Sequence, residues 1–99
     1  MSSVDNILGL AMRARKLSTG DSVLEDIRKK KAKLVVICMD ASENTKKKIS
    51  DKCKYYGIPY VYIDSSVRLN AAFGSYNYMA IAVLEEGFAK KIETYLTKG

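Results

Sequence analysis

Histidine and tryptophan are absent from this 99-residue chain, and proline occurs once. Without histidine the commonest general base and metal ligand are missing. The two cysteines, Cys38 and Cys53, fall where a strand and a helix interior are predicted. Their spacing fits no metal motif, and a chain read as cytoplasmic is not expected to form a disulfide. Long apolar runs are missing too: the longest, Met79 to Leu84, is far short of the roughly 20 residues of a membrane span. The N-terminus lacks a basic start, an apolar core and a cleavage site in the right order, so no secretory signal is expected. No glycine pattern forms a dinucleotide fingerprint or a Walker loop, and no Ser or Cys is flanked by a recognisable base. Glu85 and Glu86 are consecutive and diverge on a helix. Asp40 ends a strand, where α/β enzymes place catalytic carboxylates, but a cap for the following helix is the preferred reading. Enzyme activity, cofactor and metal are therefore not expected.

What remains is organised around Lys31 to Ile63. Leu34-Val35-Val36-Ile37-Cys38 is an apolar run rich in β-branched residues, the pattern of a strand covered on both faces. Asp40 and Ser42 can accept hydrogen bonds from a helix start. Thr45, Ile49, Cys53 and Tyr56 then recur at helical spacing, with most of the lysines elsewhere around the cylinder. Gly57 stops that helix, Pro59 follows, and Tyr60 to Ile63 is a second β-prone run. A helix joining two buried strands makes them parallel and the crossover right-handed.

On either side the periodicity continues. Val4, Ile7, Leu8, Ala11 and Ala14 predict a first helix from about Ser3 to Arg15, with Arg13, Arg15 and Lys16 at its C-terminal end, where cations complement the dipole. Leu17-Ser18-Thr19 reads as a short edge strand, and Thr19-Gly20-Asp21-Ser22 offers capping oxygens to a second helix carrying Val23, Leu24 and Ile27. Asp64-Ser65-Ser66 caps a short fourth helix with Val67, Leu69, Ala71, Ala72 and Phe73 as core candidates. A turn-rich loop, Gly74 to Tyr78, leads into a buried strand at Met79 to Leu84. A last helix follows, with Phe88, Ile92, Tyr95 and Leu96 on one side and Lys90, Lys91 and Lys98 toward its end. The order predicts one α/β domain over residues 1–99, a three-layer α/β/α sandwich around a small four-stranded sheet. Strand order stays open.

The net charge of +6 is unevenly spread. Ten bases lie between Arg28 and Lys54, against Asp40, Glu43 and Asp51 alone, so this segment exceeds the charge of the whole chain. A solvated lysine face is one reading; attraction to a polyanion is the sharper one, and no amphipathic membrane helix accompanies the charge. Thr19-Gly20-Asp21-Ser22 presents hydroxyls, a carboxylate and helix N–H groups that can bond base edges and hold a phosphate. In Gly74-Ser75-Tyr76-Asn77-Tyr78, two aromatic rings either stack on splayed bases or simply pack into the strand that follows. Looped-out bases are a feature of RNA targets rather than of duplex DNA.

The chain resembles the bacterial YlxQ-type branch of the ribosomal-protein family that binds kink-turn RNA. The likeness runs through Ile7-Leu8-Gly9-Leu10-Ala11-Met12-Arg13-Ala14, Thr19-Gly20-Asp21, Lys31-Ala32-Lys33-Leu34-Val35 and Asp40 to Thr45. It continues in Lys52-Cys53-Lys54-Tyr55-Tyr56, Ala82-Val83-Leu84 and Glu86 to Lys91. It implies an α/β/α sandwich with a mixed sheet, no enzyme activity, and RNA held by the start of the second helix and the loop before the last strand. Ser22 and Val23 stand where the family signature has Asn and Glu, and Asp26 where it has Lys. A serine offers one hydroxyl where asparagine pairs with a base edge, and Asp26 repels phosphate.

The expected RNA-binding residues are thus Thr19, Gly20, Asp21, Ser22, Lys29, Lys30, Ser75, Tyr76, Asn77 and Tyr78. The partner is structured RNA, of kink-turn type or ribosomal, with the ribosome a candidate partner, no membrane, and a monomeric protein. The alternative is a protein-interaction module of the translation machinery, using an exposed apolar surface from Val23, Tyr76 and Tyr78.

Overall fold

Five consecutive residues, Leu34–Cys38, form strand β2 and are all buried. The computed structural model describes residues 3–74 and 76–97; Ser75 and Lys98, both singled out above, lie outside the described residues. Alternate side chains of a strand leave by opposite faces, so Leu34, Val36 and Cys38 enter one apolar cluster while Val35 and Ile37 enter another. Each face therefore needs its own helical layer. Helices α1 (Ser3–Arg13), α4 (Ser66–Ala71) and α5 (Glu86–Thr97) cover the first through Val4, Leu8, Leu69, Ala89 and Ile92. Helices α2 (Ser22–Arg28) and α3 (Glu43–Tyr56) cover the second through Val23, Ile27, Ile49 and Cys53. This is the expected α/β/α sandwich. The two cysteines sit in different clusters, and burial pushes each thiol up to about 11.

The sheet is mixed, in the order β1-β4-β2-β3, with β1 at Leu17–Thr19, β3 at Tyr60–Ile63 and β4 at Ala80–Val83. As expected, β2 and β3 are parallel, and β1 is an edge strand. β4 runs antiparallel to both β1 and β2. Its four residues are all buried, so an inner position suits it, whereas β1 and β3 each carry partly exposed residues and take the edges.

Three helices close with the same hydrogen-bond pattern, in which the two residues past the end donate back to the last turn. In α3 the left-handed residue is Gly57, φ 72°, as its sequence foretold, and the Ile58 N–H donates to the Cys53 carbonyl at 2.8 Å. In α1 it is Arg15, φ 60°, with the Lys16 N–H on the Ala11 carbonyl at 2.9 Å. In α2 it is Lys30, φ 60°, with the Lys31 N–H on the Asp26 carbonyl at 2.9 Å. Helix α1 thus stops at Arg13 rather than Arg15, and Ala14 is exposed instead of packed.

Some inward assignments change. The buried stripe of α4 is Ser66, Leu69 and Asn70, which leaves Val67, 78% exposed, and Ala71 on the outer arc. Tyr95 is likewise exposed, whereas Ile92 is buried. Asp40 does not cap α3. That role belongs to Ser42, whose Oγ accepts from the Thr45 N–H at 3.1 Å. Asp40 instead accepts from the Ser66 N–H and the Ser66 hydroxyl, each at 2.9 Å, and so ties the end of β2 to the first turn of α4. Asn70, 6% exposed, extends this link. Its amide donates to the Ser66 carbonyl at 2.7 Å and to the Tyr78 carbonyl at 2.9 Å, and its oxygen accepts from the Tyr78 N–H at 2.8 Å. One side chain thereby fixes the backbone of the loop that enters β4.

Two outcomes follow. Asn70→Ala removes this partner from the part-buried Tyr78 N–H and carbonyl; a fully buried group left so costs about 1–3 kcal/mol, so a loss of about 1–3 kcal/mol in all is expected. It should appear in urea unfolding as a lower midpoint at unchanged slope. Asp40 concerns pH. The hydrogen bonds from Ser66, with Lys46 nearby, hold its carboxyl below the ordinary 3.8. A depressed folded-state pKa gives stability that is present above the unfolded value and lost as pH falls through the folded one. Asp40→Asn should therefore be less stable than the parent at pH 7, and the gap should close only below about 3.8 in parallel acid melts.

Candidate functional site

A cleft of about 280 Å³ opens where the start of α2, the first turns of α3 and the loop before β4 meet. Its floor is apolar, from Val23, Leu24, Ile49 and Ala80, and its rim is polar, from Asp21, Thr45, Lys48 and Asn77. Local sequence explains each wall. Gly20, φ 59°, makes the left-handed turn between β1 and α2 that any side chain would strain. Val23 and Ile27 fall one turn apart and press α2 onto the sheet. Thr45, Lys48 and Ile49 lie at the i, i+3, i+4 spacing of one face of α3, so burying Ile49 carries Lys48 to the rim.

The expected capping by Thr19 to Ser22 is not what the structure shows. Asp21 occupies the N-cap position of α2 with φ −64° and ψ −22°, and its side chain makes no cap hydrogen bond. A capping side chain reaches the helix N–H groups from an extended backbone, and Asp21 is already helical. Asp21 lines the cleft instead of closing the helix.

The tyrosines divide the two roles proposed for them. Tyr76 and Tyr78 stack with ring centroids 5.1 Å apart and planes 10° from parallel. Tyr78 is half-buried against the core and meets Phe73 edge-on at 6.1 Å, so it packs. Tyr76 is 54% exposed; with one face on Tyr78, its other face is open for stacking. Asn77 stands between the cleft and a neighbouring depression lined by Ser66, Val67, Gly74 and Tyr76.

Of the ten expected residues, Gly20, Asp21, Asn77 and Tyr78 line one cleft and Tyr76 adjoins it. Thr19 is the half-buried last residue of β1, in register with Ile81, and Ser22 is exposed on the first turn of α2 outside the cleft lining. Lys29 and Lys30 sit at the other end of α2, roughly 10 Å away along its axis. There Lys29 pairs with Glu25 at 2.9 Å, as Arg28 also does. That pairing holds the Glu25 carboxyl below its ordinary range.

Thr45 and Lys48 were missed as site residues. Their shared helical face was visible in the spacing, but the approach of α3 to the loop before β4 was not. Among the described residues Lys48 makes no ion pair, unlike Lys46 with Glu43 at 3.1 Å and Lys47 with Asp51 at 2.8 Å. Val23, invoked for an exposed apolar surface, is 3% exposed, which removes that surface's centre. Among the described residues no group of three or more His, Cys, Asp or Glu could hold a metal ion. No helix among them is long and apolar enough to cross a membrane.

Comparison with known proteins places this geometry in a family. The model of the ribosomal protein L7Ae/L30e/S12e/Gadd45 family matches residues 2–93. The chain is 45% identical over 91 residues to the RNA-binding protein YlxQ of Bacillus subtilis (strain 168), covering 91% of each. It is 45% identical over 87 residues to the RNA-binding protein YlxQ of Enterococcus faecium, covering 87% of this chain and 84% of that one. Among solved structures, a Bacillus halodurans protein of unknown function superposes with a TM-score of 0.91 at 34% identity, covering 97% of this chain and 98% of the other. The Giardia lamblia 15.5kD RNA binding protein shares the fold with a TM-score of 0.72 at 22% identity, covering 92% and 85%. With a family model spanning nearly the whole chain and relatives this similar over most of their length, the protein belongs to the ribosomal protein L7Ae/L30e/S12e/Gadd45 family.

Proposed function

We propose that this protein binds structured RNA of the kink-turn type, ribosomal RNA in particular, at the cleft between α2, α3 and the loop before β4. It does so as a cytoplasmic monomer and without catalysis. The convergence of Asp21, Lys48 and Asn77 on one apolar-floored cleft, beside an open tyrosine face, carries the reading. Two relatives at 45% identity are RNA-binding proteins, which supports the same partner class here.

The chemistry suits a base better than a bare phosphate. Asp21 can accept only, so it repels phosphate but takes a hydrogen bond from the exocyclic amine of a base. Asn77 both donates and accepts, and the Thr45 hydroxyl does the same. Lys48 supplies the point charge that draws the adjoining phosphate. The apolar floor accommodates a base plane, and Tyr76 stacks a second, splayed base on its free face. Loss of the paired hydrogen bonds that asparagine would make at position 22 moves recognition from α2 toward the loop and α3.

The test is a titration against a kink-turn RNA and a straight duplex of equal length, at low and physiological salt. Preference for the kinked RNA that persists at physiological salt is expected. Equal binding that fades with salt would sink the kink-turn reading. Tyr76→Ala should weaken binding by about 1–3 kcal/mol, the worth of one stacked base. Lys48→Gln should lower the log–log salt slope by about 0.7–0.9, one phosphate's share. Tyr76→Ala without effect would mean that its exposed face is unused.

A further inference from the structure

The fold assembles a second cationic surface that the sequence does not announce. The register pairs Leu17 of β1 and Leu34 of β2 with the same residue of β4, Val83. The residues just before them, Lys16 and Lys33, therefore flank the end of β4. The Lys16 carbonyl accepts from the Leu84 N–H at 2.7 Å, and the Lys33 N–H donates to the Val83 carbonyl at 2.7 Å. Two strand spacings separate them, about 10 Å. Leu17 and Leu34 both face the cluster under α1 and α5, while Ala32, between Lys31 and Lys33, packs with Ile27 of α2 in the other cluster and so sets this turn on the α2 side. Lys30 and Lys31 end α2 on that same side, and Arg15 precedes Lys16.

Two features bear on this group, the first shared with Arg13, Lys48, Lys52, Lys54, Lys90 and Lys91, which are also exposed and unpaired among the described residues. Arg28, Lys29, Lys46, Lys47 and Arg68 each have a carboxylate within 3.2 Å. Arg15, Lys16, Lys30, Lys31 and Lys33 are all exposed and none makes an ion pair among the described residues. The acids at this pole are Glu25, Asp26, Glu85 and Glu86; Glu25 is held by Arg28 and Lys29, and the Glu85 carboxylate is occupied in capping α5 through the Phe88 N–H at 2.8 Å. In addition, Arg15 and Lys30 hold left-handed positions, φ 60°, that Gly57 fills at the end of α3. A helix dipole favours a cation in the last turn, but it does not ask for one at the strained position itself.

We infer that Arg15, Lys16, Lys31 and Lys33 form a second phosphate contact, which takes the backbone of a duplex arm of the same RNA whose kinked part occupies the cleft. The inference rests on the RNA-binding reading and extends it. The cleft and this patch lie at opposite ends of α2 on one side of the sheet, so an arm leaving the cleft runs down α2 to reach it. Recognition is then divided: bases are read at one end and the backbone is held at the other.

The experiment compares two kink-turn RNAs, one with a short arm of about 3 base pairs and one extended to about 12, using the full chain. The variant is Arg15→Gly with Lys16→Gln, Lys31→Gln and Lys33→Gln; glycine relieves the left-handed backbone, and a thermal melt checks that the fold is intact. The parent should bind the long-arm RNA about tenfold or more tightly than the short-arm RNA in low salt, with a salt slope steeper by about 2–3. The variant should lose that gain while binding the short-arm RNA as the parent does. If the variant keeps the long-arm gain, the second contact is wrong and the cleft reading stands. If the parent binds neither RNA in low salt, the RNA-binding reading falls and this inference with it.

Discussion

The double burial of β2 is the constraint on which the rest of the molecule depends. A strand whose five residues all leave solvent, alternating between two clusters, requires a helical layer on each face. Each fully buried aliphatic side chain contributes about 1.5–3 kcal/mol before the entropy of ordering it is counted. A chain of 99 residues has few strands that apolar, and β4 is the other. Placing the two side by side at the centre leaves the shorter or more polar β1 and β3 for the edges. The functional geometry follows. β4 runs against β2, so the loop that enters β4 arrives at the end where β2 finishes and α3 begins. In α/β sheets the ends of the central strands are where loops can converge without filling the core. Here that position holds the cleft.

Convergence alone would leave a loose rim. Asn70 removes that freedom by bonding both backbone groups of Tyr78, while Asp40 and Ser66 secure the helix that carries Asn70. Tyr78, fixed in this way and packed against Phe73, becomes the platform on which Tyr76 stacks. A rigid aromatic shelf spends little conformational entropy when a base is placed on it. The buried polar network thus has a reason to exist in a core that apolar residues could have filled. It converts a flexible entry loop into part of the scaffold.

Features set by local signals were legible. The strand at Leu34–Cys38, the stop at Gly57 and the Ser65 cap of α4 follow from residues beside them, and the parallel pairing follows from the strand–helix–strand order. What escaped depends on partners far apart in the chain. Asp40 looked like a local cap because nothing near it reveals Ser66, 26 residues on. Val67 looked like core because helix four is short, and six residues do not define a face until the sheet beneath is known. Ser66 and Asn70, both polar, turned out to face inward because they serve that network. Lys48 joined the site for the same kind of reason: its face of α3 was predictable, but the approach of the loop before β4 was not. The family resemblance pointed to the two loops at the cleft but not to the α3 wall.

Charge makes the same argument from another side. Counting bases from Arg28 to Lys54 suggests one large cationic face, yet folding sorts those bases into two classes. Arg28, Lys29, Lys46 and Lys47 lie one helical turn from an acid and are paired. Exposed pairs of this kind are worth about 0–1 kcal/mol, too little to stabilise the fold much. Each pair nevertheless carries no net charge, so it adds little to the long-range attraction of a polyanion. Of the bases left unpaired among the described residues, Lys30, Lys31 and Lys33 follow the end of α2, while Lys48, Lys52 and Lys54 stand on α3 itself. Helical spacing therefore decides which part of the nominal charge a polyanion encounters. The net charge of the segment overstates the attraction wherever such a pair forms. A charge distribution built in this way is directional: it presents a polyanion with some faces of the molecule more than others.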